Sequence, residues 1–161
     1  MIKKASLAVL FLMLANNILF AATAPQTDTS NMAPAFKLMD LDNKEFASSS
    51  LKDKNAILFF WTTWCPYCQK ELKQMQDKQL ELSKDGVELV AINVQEPAVK
   101  VKKFFENYPH SFSVLVDTEG SVAQSYEVMG VPTYFLIDKK GRIVFSNHYF
   151  PQKEYKNLIS K

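Results

Sequence analysis

Residues 60–68, Phe-Trp-Thr-Thr-Trp-Cys-Pro-Tyr-Cys, decide the fold of this 161-residue chain and contain its two cysteines, Cys65 and Cys68. The stretch begins as the end of a continuous apolar run at 56–61, which is typical of a strand buried on both faces. A helical pattern over 66–84 follows, in which Cys68 shares one face with apolar residues. The two cysteines are therefore predicted to lie where a buried strand gives way to a helix.

This position and spacing favour redox chemistry over a structural role. Unpaired N–H groups and the helix dipole favour a thiolate at Cys65, which makes it the nucleophile. Cys68, one turn further on, would attack the resulting mixed disulfide and release the reduced partner. Pro66 suits a first helical turn. Together with Tyr67 it is expected to tune the balance between the oxidised and reduced forms of the cysteine pair. A bridge between cysteines three apart closes almost no loop, so it adds little stability.

Outward from the pair, the pattern predicts alternating strands and helices. Strands are predicted at 35–39, 56–61, 87–94, 113–116, 133–137 and 143–148, and helices at 66–84, from Pro97, at 121–126 and from Pro151. The turn at 138–141 joins the last two strands into a hairpin. Strands that alternate with helices imply parallel pairing, to which the hairpin adds an antiparallel edge. We therefore predict a single α/β domain over 34–161.

The N-terminal segment has the features of an export signal. In residues 1–24, Lys3 and Lys4 precede a long apolar run that ends in small residues, as in a signal peptide or a single membrane anchor. Residues 25–33 are rich in Thr, Ser, Asn and Pro and are predicted to form a flexible tether. We therefore expect an exported protein, either periplasmic or anchored at the outer face of the cytoplasmic membrane.

Composition argues against several other classes of function. The formal net charge is +2 and Arg142 is the sole arginine, which does not favour nucleic-acid binding. A zinc site needs about four ligands, whereas the chain offers two cysteines and two histidines, His110 and His148, without ligand-like spacing. We expect no metal and no cofactor beyond a redox-active Cys65–Cys68 disulfide.

Four motifs in order carry a family resemblance. They are Ala-Pro-Ala-Phe at 33–36, Trp-x-x-Trp-Cys-x-x-Cys at 61–68, Ala-Ile-Asn-Val at 91–94, and Gly-Val-Pro-Thr at 130–133 before Phe-Leu-Ile-Asp at 135–138. The second resembles the active-site segment of thioredoxin-like proteins. From residue 33 onward the chain is similar to the TlpA/ResA/CcmG group of exported thiol–disulfide oxidoreductases. The resemblance implies a thioredoxin fold, with a central mixed sheet flanked by helices and an N-terminal strand extension. We also expect a monomer.

The resemblance also implies roles for residues around the cysteines. Pro132 matches a cis-proline that packs against the disulfide. It would leave the backbone of Val131 free to hold a partner's extended chain by strand addition. Trp64, Pro66 and Tyr67 would complete the substrate-binding surface.

Two glutamates match acidic positions of the same group. Glu71 lies three residues after Cys68, and Glu96 follows the strand at 87–94. Partly desolvated carboxylates would have raised pKa values and could move protons to and from Cys68. Glu71 could equally be a solvated helix residue, and Glu96 a helix cap. Thioredoxin itself has a buried aspartate where this chain has Phe59, so the glutamates would have to replace it.

The resemblance favours a reductase. A membrane thiol–disulfide electron donor would reduce the pair, which would then reduce disulfides of exported proteins, as ResA-like and CcmG-like members do for apocytochrome c. The dipeptide Pro66-Tyr67 differs from the Gly-Pro of thioredoxin and the Glu-Pro type of ResA. An oxidase or isomerase therefore stays open as an alternative.

Two further alternatives share parts of the pattern. Peroxidases of the peroxiredoxin type also have a threonine at the position of Thr62, but this chain has Leu58 where their motif has proline, and Arg142 is poorly placed to polarise a peroxide. Copper-handling proteins of the Sco type have three residues between their cysteines and a distant histidine, whereas two residues separate Cys65 from Cys68.

Overall fold

The computed structural model describes residues 31–160 and contains a seven-stranded mixed sheet flanked by helices over that range. The strands are β1 (Lys37–Asp40), β2 (Glu45–Ala47), β3 (Asn55–Trp61), β4 (Val87–Val94), β5 (Ser113–Asp117), β6 (Thr133–Ile137) and β7 (Ile143–Asn147). The α-helices are α1 (Pro66–Lys84), α2 (Ala98–Phe105), α3 (Ser121–Ser125) and α4 (Gln152–Ile159). The predicted fold class is confirmed.

The centre of the sheet is β3, whose seven residues are all buried. The strand order is β2-β1-β5-β4-β3-β6-β7, with β3, β4 and β5 parallel. Both β6 and β7 belong to antiparallel pairs, because β6 runs against β3 and β7 runs against β6. The predicted antiparallel hairpin at the end of the chain is therefore confirmed, and β1 adds a second antiparallel region, because it runs against both β2 and β5.

Alternate residues of β3 build two cores, because successive side chains of a strand point to opposite faces. Phe59 and Trp61 pack with α1 and the aromatic residues of α2 and α4 on one face. Leu58 and Phe60 pack with α3 and Tyr126 on the other. Full burial of one such side chain contributes roughly 1.5–3 kcal/mol, so β3 is fixed from both sides up to its last residue, Trp61, four residues before Cys65.

Helix α1 begins at Pro66, where the missing N–H costs no hydrogen bond. Its buried face is Cys68, Leu72, Met75 and Leu82, the spacing predicted from the sequence. The helix ends at Lys84 because Gly86 takes up a left-handed φ of 68°, which is favourable only for glycine and a few polar residues.

The N-terminal extension contains the predicted first strand together with elements that the sequence pattern did not indicate. Strand β1 corresponds to the strand predicted at 35–39, but it is not an edge strand, because β2 pairs with its outer side. Strand β2 and a 3-10 turn at Ser48–Leu51 were not predicted. Of the predicted tether, residues 31–33 pair with the β6–β7 turn, where the Ala33 N–H donates to the Gly141 carbonyl at 2.9 Å. The remaining tether residues and the predicted export signal lie outside the described residues. Between residues 31 and 160, no helix combines the length and apolarity needed to cross a bilayer.

Candidate active site

The two cysteines form a disulfide at the start of α1. Cys65 is the N-cap residue, and its Sγ accepts a hydrogen bond from the Cys68 N–H at 3.1 Å. Only 4% of Cys65 and none of Cys68 is exposed to solvent. The same N–H would stabilise a thiolate at Cys65, since anions are favoured at a helix N-terminus. The outer sulfur is thus the one that a partner can reach.

The segment before β6 reaches the disulfide from the far side of the sequence. Pairing of Thr133 with Phe60 brings β6 beside β3, and the Val131–Pro132 peptide bond is cis, as the resemblance implied. The carbonyl oxygen of Val131 lies 3.9 Å from Cys65 Sγ. The structure therefore brings together Cys65, Val131 and Pro132.

Exposed apolar side chains neighbour the cysteine pair and the cis-proline segment along the chain. Trp64 is 66% exposed and Tyr67 is 76% exposed, with Pro66 between them also exposed. Met129, which sequence reasoning did not single out, is 95% exposed two residues before Val131. Large exposed apolar groups are a feature of surfaces that contact other proteins.

Glu96 does not behave as predicted. It is only 3% exposed, and it accepts hydrogen bonds from the N–H and the hydroxyl of Thr63 at 2.6 and 2.7 Å and from Asn93 at 2.8 Å. The ammonium of Lys100 lies 2.7 Å from the carboxylate. Burial favours the neutral acid, but the bonds from Lys100, Thr63 and Asn93 outweigh it and lower the pKa of Glu96. The expectation of a raised pKa was wrong for this residue.

The contacts of Glu96 give it a structural task at the site. They hold Thr63, two residues before Cys65, and Gln69 of α1 donates to the Thr63 carbonyl at 2.7 Å. The alternative of a helix cap is also wrong, because the N-cap of α2 is Pro97 and no side chain caps it. Glu96 therefore fixes the turn that carries the cysteines.

Glu71 is half-buried on α1, one turn after Cys68. It accepts a hydrogen bond at 2.8 Å from the hydroxyl of Tyr134, a fully buried residue of β6. Burial and the neighbouring Glu71 carboxylate raise the pKa of Tyr134, so the tyrosine stays neutral and donates. The ring of Tyr134 stacks on Phe59 with centroids 4.6 Å apart. Glu71 is thus not simply a solvated helix residue.

Sequence reasoning missed several polar residues at the site. Thr63, Asn93, Tyr134 and His148 all bond to a residue of the predicted site or its turn. Asn93 could have been suspected, because it is a polar residue in an otherwise apolar strand. The others contact residues far away in the sequence, which no local pattern reveals.

A mixed sheet with a disulfide at the N-terminus of its first long helix, faced by a cis-proline segment, defines a thiol–disulfide oxidoreductase of the thioredoxin fold. The chain belongs to the AhpC/TSA family, which it matches over residues 29–146.

Relatives and solved structures agree with this class. The chain is 38% identical to the thiol-disulfide oxidoreductase ResA of Bacillus subtilis over 128 residues, which cover 80% of this chain and 71% of that protein. It is 40% identical to ResA of Geobacillus kaustophilus over 69% of this chain and 64% of that protein. A structure from Chlorobium tepidum, described as a thiol:disulfide interchange protein DsbE, superposes with a TM-score of 0.71 and 28% identity, covering 81% of this chain and 92% of that one. The structure of StoA from Bacillus subtilis superposes with a TM-score of 0.67 and 25% sequence identity, covering 81% of this chain and 99% of that one.

Proposed function

We propose that this protein is a disulfide reductase for exported proteins, with Cys65 as the nucleophile and Cys68 as the resolving thiol. The observation that carries the proposal is the position of Cys65 Sγ, which accepts the Cys68 N–H at 3.1 Å and lies 3.9 Å from the Val131 carbonyl. Once the disulfide is reduced, the Cys68 N–H would stabilise a thiolate at this sulfur, beside backbone that can align a partner chain.

The reaction consists of two exchange steps. In the reduced protein the Cys65 thiolate attacks one sulfur of the partner's disulfide and expels the other as a thiolate. Cys68 then loses its proton and attacks Cys65 Sγ, so the partner's second sulfur leaves. The partner gains two electrons and two protons, of which one is released by Cys68 and the other comes from the solvent, and the protein is left with the Cys65–Cys68 disulfide.

The surroundings of the pair support exchange with a protein better than reduction of a peroxide. Arg142, the sole arginine of the sequence, lies in the β6–β7 turn, where its guanidinium binds the Asp138 carboxylate at 2.6 Å. Leu58 is fully buried within β3. Arg142 therefore does not place a cation beside the cysteine sulfur, and Leu58 does not replace the proline of the peroxidase motif. Trp64 and Tyr67, by contrast, offer an apolar surface on which a protein can dock.

The class of reaction suggests the partners, and the N-terminal segment suggests the location. A thiol–disulfide donor at the membrane would restore the dithiol after each turnover. The substrates would be exported proteins, and apocytochrome c is a candidate because the haem-attaching cysteines must be reduced. Residues 1–24 would direct export and either be removed or anchor the protein at the outer face of the cytoplasmic membrane. The protein would act as a monomer.

Glu71 is the candidate proton acceptor for Cys68. Its half-buried carboxylate lies one helical turn away, within the reach of residues three apart on a helix. We expect Glu71→Gln to slow the resolving step roughly tenfold or more at neutral pH, because positioned acid–base groups contribute at least that much. Rapid-mixing measurement of partner release gives the rate. Glu81→Gln on the same helix is the control, since Glu81 binds Lys156 instead. Equal rates for the two variants would exclude the role of Glu71.

The midpoint potential of the Cys65/Cys68 couple tests the direction of electron flow. Equilibration in redox buffers can be followed by tryptophan fluorescence, because Trp64 adjoins Cys65 and Trp61 ends β3. We expect a value more negative than roughly −200 mV, on the thioredoxin side of the scale. A value near roughly −120 mV, as for a strong periplasmic oxidant, would make the protein a disulfide-forming enzyme.

A further inference from the structure

His148 lies at the edge of the segment that faces the disulfide. Strand β7 ends at Asn147, which pairs with Tyr134 of β6. The side chain of the next residue, His148, contacts the segment that precedes β6. Its Nδ1 lies 2.7 Å from the Pro132 carbonyl oxygen and 3.2 Å from the Thr133 hydroxyl. The residue is otherwise exposed.

The partners of the imidazole fix where its hydrogen lies. A carbonyl oxygen only accepts, so a contact of 2.7 Å requires Nδ1 to carry the hydrogen and donate it. The Thr133 hydroxyl, in turn, donates to the Gly130 carbonyl at 2.7 Å.

Together these bonds hold both ends of the four-residue segment from Gly130 to Thr133. The Thr133 hydroxyl closes the turn at Gly130, and His148 holds the carbonyl of Pro132. The residue between them, Val131, has its carbonyl 3.9 Å from Cys65 Sγ. A backbone that must align a partner chain loses less entropy on binding when it is held in place beforehand.

We propose that His148 is a positioning residue for partner binding, which keeps the Val131 backbone aligned for an extended peptide at Cys65. It acts through Pro132 and takes no part in the exchange of sulfur bonds. The inference rests on the proposed exchange at Cys65, but not on its direction.

The test measures the rates at which the protein exchanges disulfides with two probes, both when the protein reduces the probe and when the probe reduces the protein. One probe is a synthetic decapeptide with a Cys-x-x-Cys pair, and the other is 2-hydroxyethyl disulfide with its thiol, which is too small to use the Val131 backbone. We expect His148→Ala to lower the second-order rate constants with the peptide about fivefold to tenfold. Forward and reverse rates should fall by the same factor, because the midpoint potential is unchanged. The rates with the small probe should stay within twofold of wild type.

Two further variants separate positioning from a general structural effect. His148→Asn keeps an N–H donor close to the position of Nδ1 and should restore most of the peptide rate. His110→Ala is the matched control, because His110 packs against Phe105 and Phe112 and should leave every rate unchanged. The inference is overturned if His148→Ala reacts with the peptide like wild type, if it slows both probes equally, or if Asn fails to restore the rate. A wild-type equilibrium that favours the oxidised peptide would instead contradict the reductase proposal and leave the comparison of variants valid.

Discussion

Replacement of Cys68 by serine is expected to leave the protein covalently attached to its partners through Cys65. Cys65 keeps its place at the helix N-terminus and still attacks a disulfide, but the second sulfur that would release the partner is gone. Because Cys68 is fully buried, no external thiol takes over its position. Mixed disulfides should accumulate, and non-reducing gels of the exported fraction followed by mass spectrometry would identify the partners.

The matched control is Cys65→Ser, which removes the nucleophile. We expect it to form no adducts and to lose all reductase activity, because the sole remaining thiol is buried within the core. More adducts in Cys65→Ser than in Cys68→Ser would reverse the assigned roles, and equal numbers would show that the two cysteines do not differ as nucleophiles. Absence of adducts from Cys68→Ser, both with exported proteins and with a small disulfide, would contradict an exchange enzyme and leave a binding function.

Patterns within single elements were sufficient to predict most of the fold. The predicted bounds of α1, β4 and β6 agree with the structure, because each combines a clear apolar periodicity with a boundary residue such as Pro66 or Gly86. Strand β2 was missed because three residues, Glu-Phe-Ala, carry no period. The direction of β6 also depends on its pairing with β3, which no local pattern specifies.

Part of the active site could likewise be predicted from the sequence and part could not. The cysteine pair and the Val131–Pro132 segment are short motifs that can be read directly from the sequence. The tasks of Glu71 and Glu96 depend on Tyr134 and Thr63, which are 63 and 33 residues away. A carboxylate's pKa depends on such partners, so the expected desolvation alone gave the wrong direction for the pKa of Glu96.

Replacement of Glu96 by glutamine is expected to destabilise the protein by about 3 kcal/mol at pH 7. The buried carboxylate accepts from Thr63, Asn93 and Lys100, and an amide has one acceptor oxygen where the carboxylate has two. At least one buried donor therefore loses its partner, which typically costs about 1–3 kcal/mol, and more where a charged pair is broken. Urea unfolding followed by fluorescence gives the difference in free energy. Exchange at Cys65 should slow as well, because Thr63 no longer anchors the turn.

The pH dependence separates this ionised network from simple packing. Since hydrogen bonds lower the pKa of Glu96 below its ordinary value of 4.5, its contribution is fully present above that pH and is lost as the pH falls through the folded-state pKa. The stability difference between wild type and Glu96→Gln should therefore shrink in acid. Lys100→Gln removes only the half-exposed member of the network, so its loss should cost less than about 1 kcal/mol. A difference between wild type and Glu96→Gln that stays constant between pH 7 and pH 3 would contradict an ionised Glu96 and reduce its role to filling space.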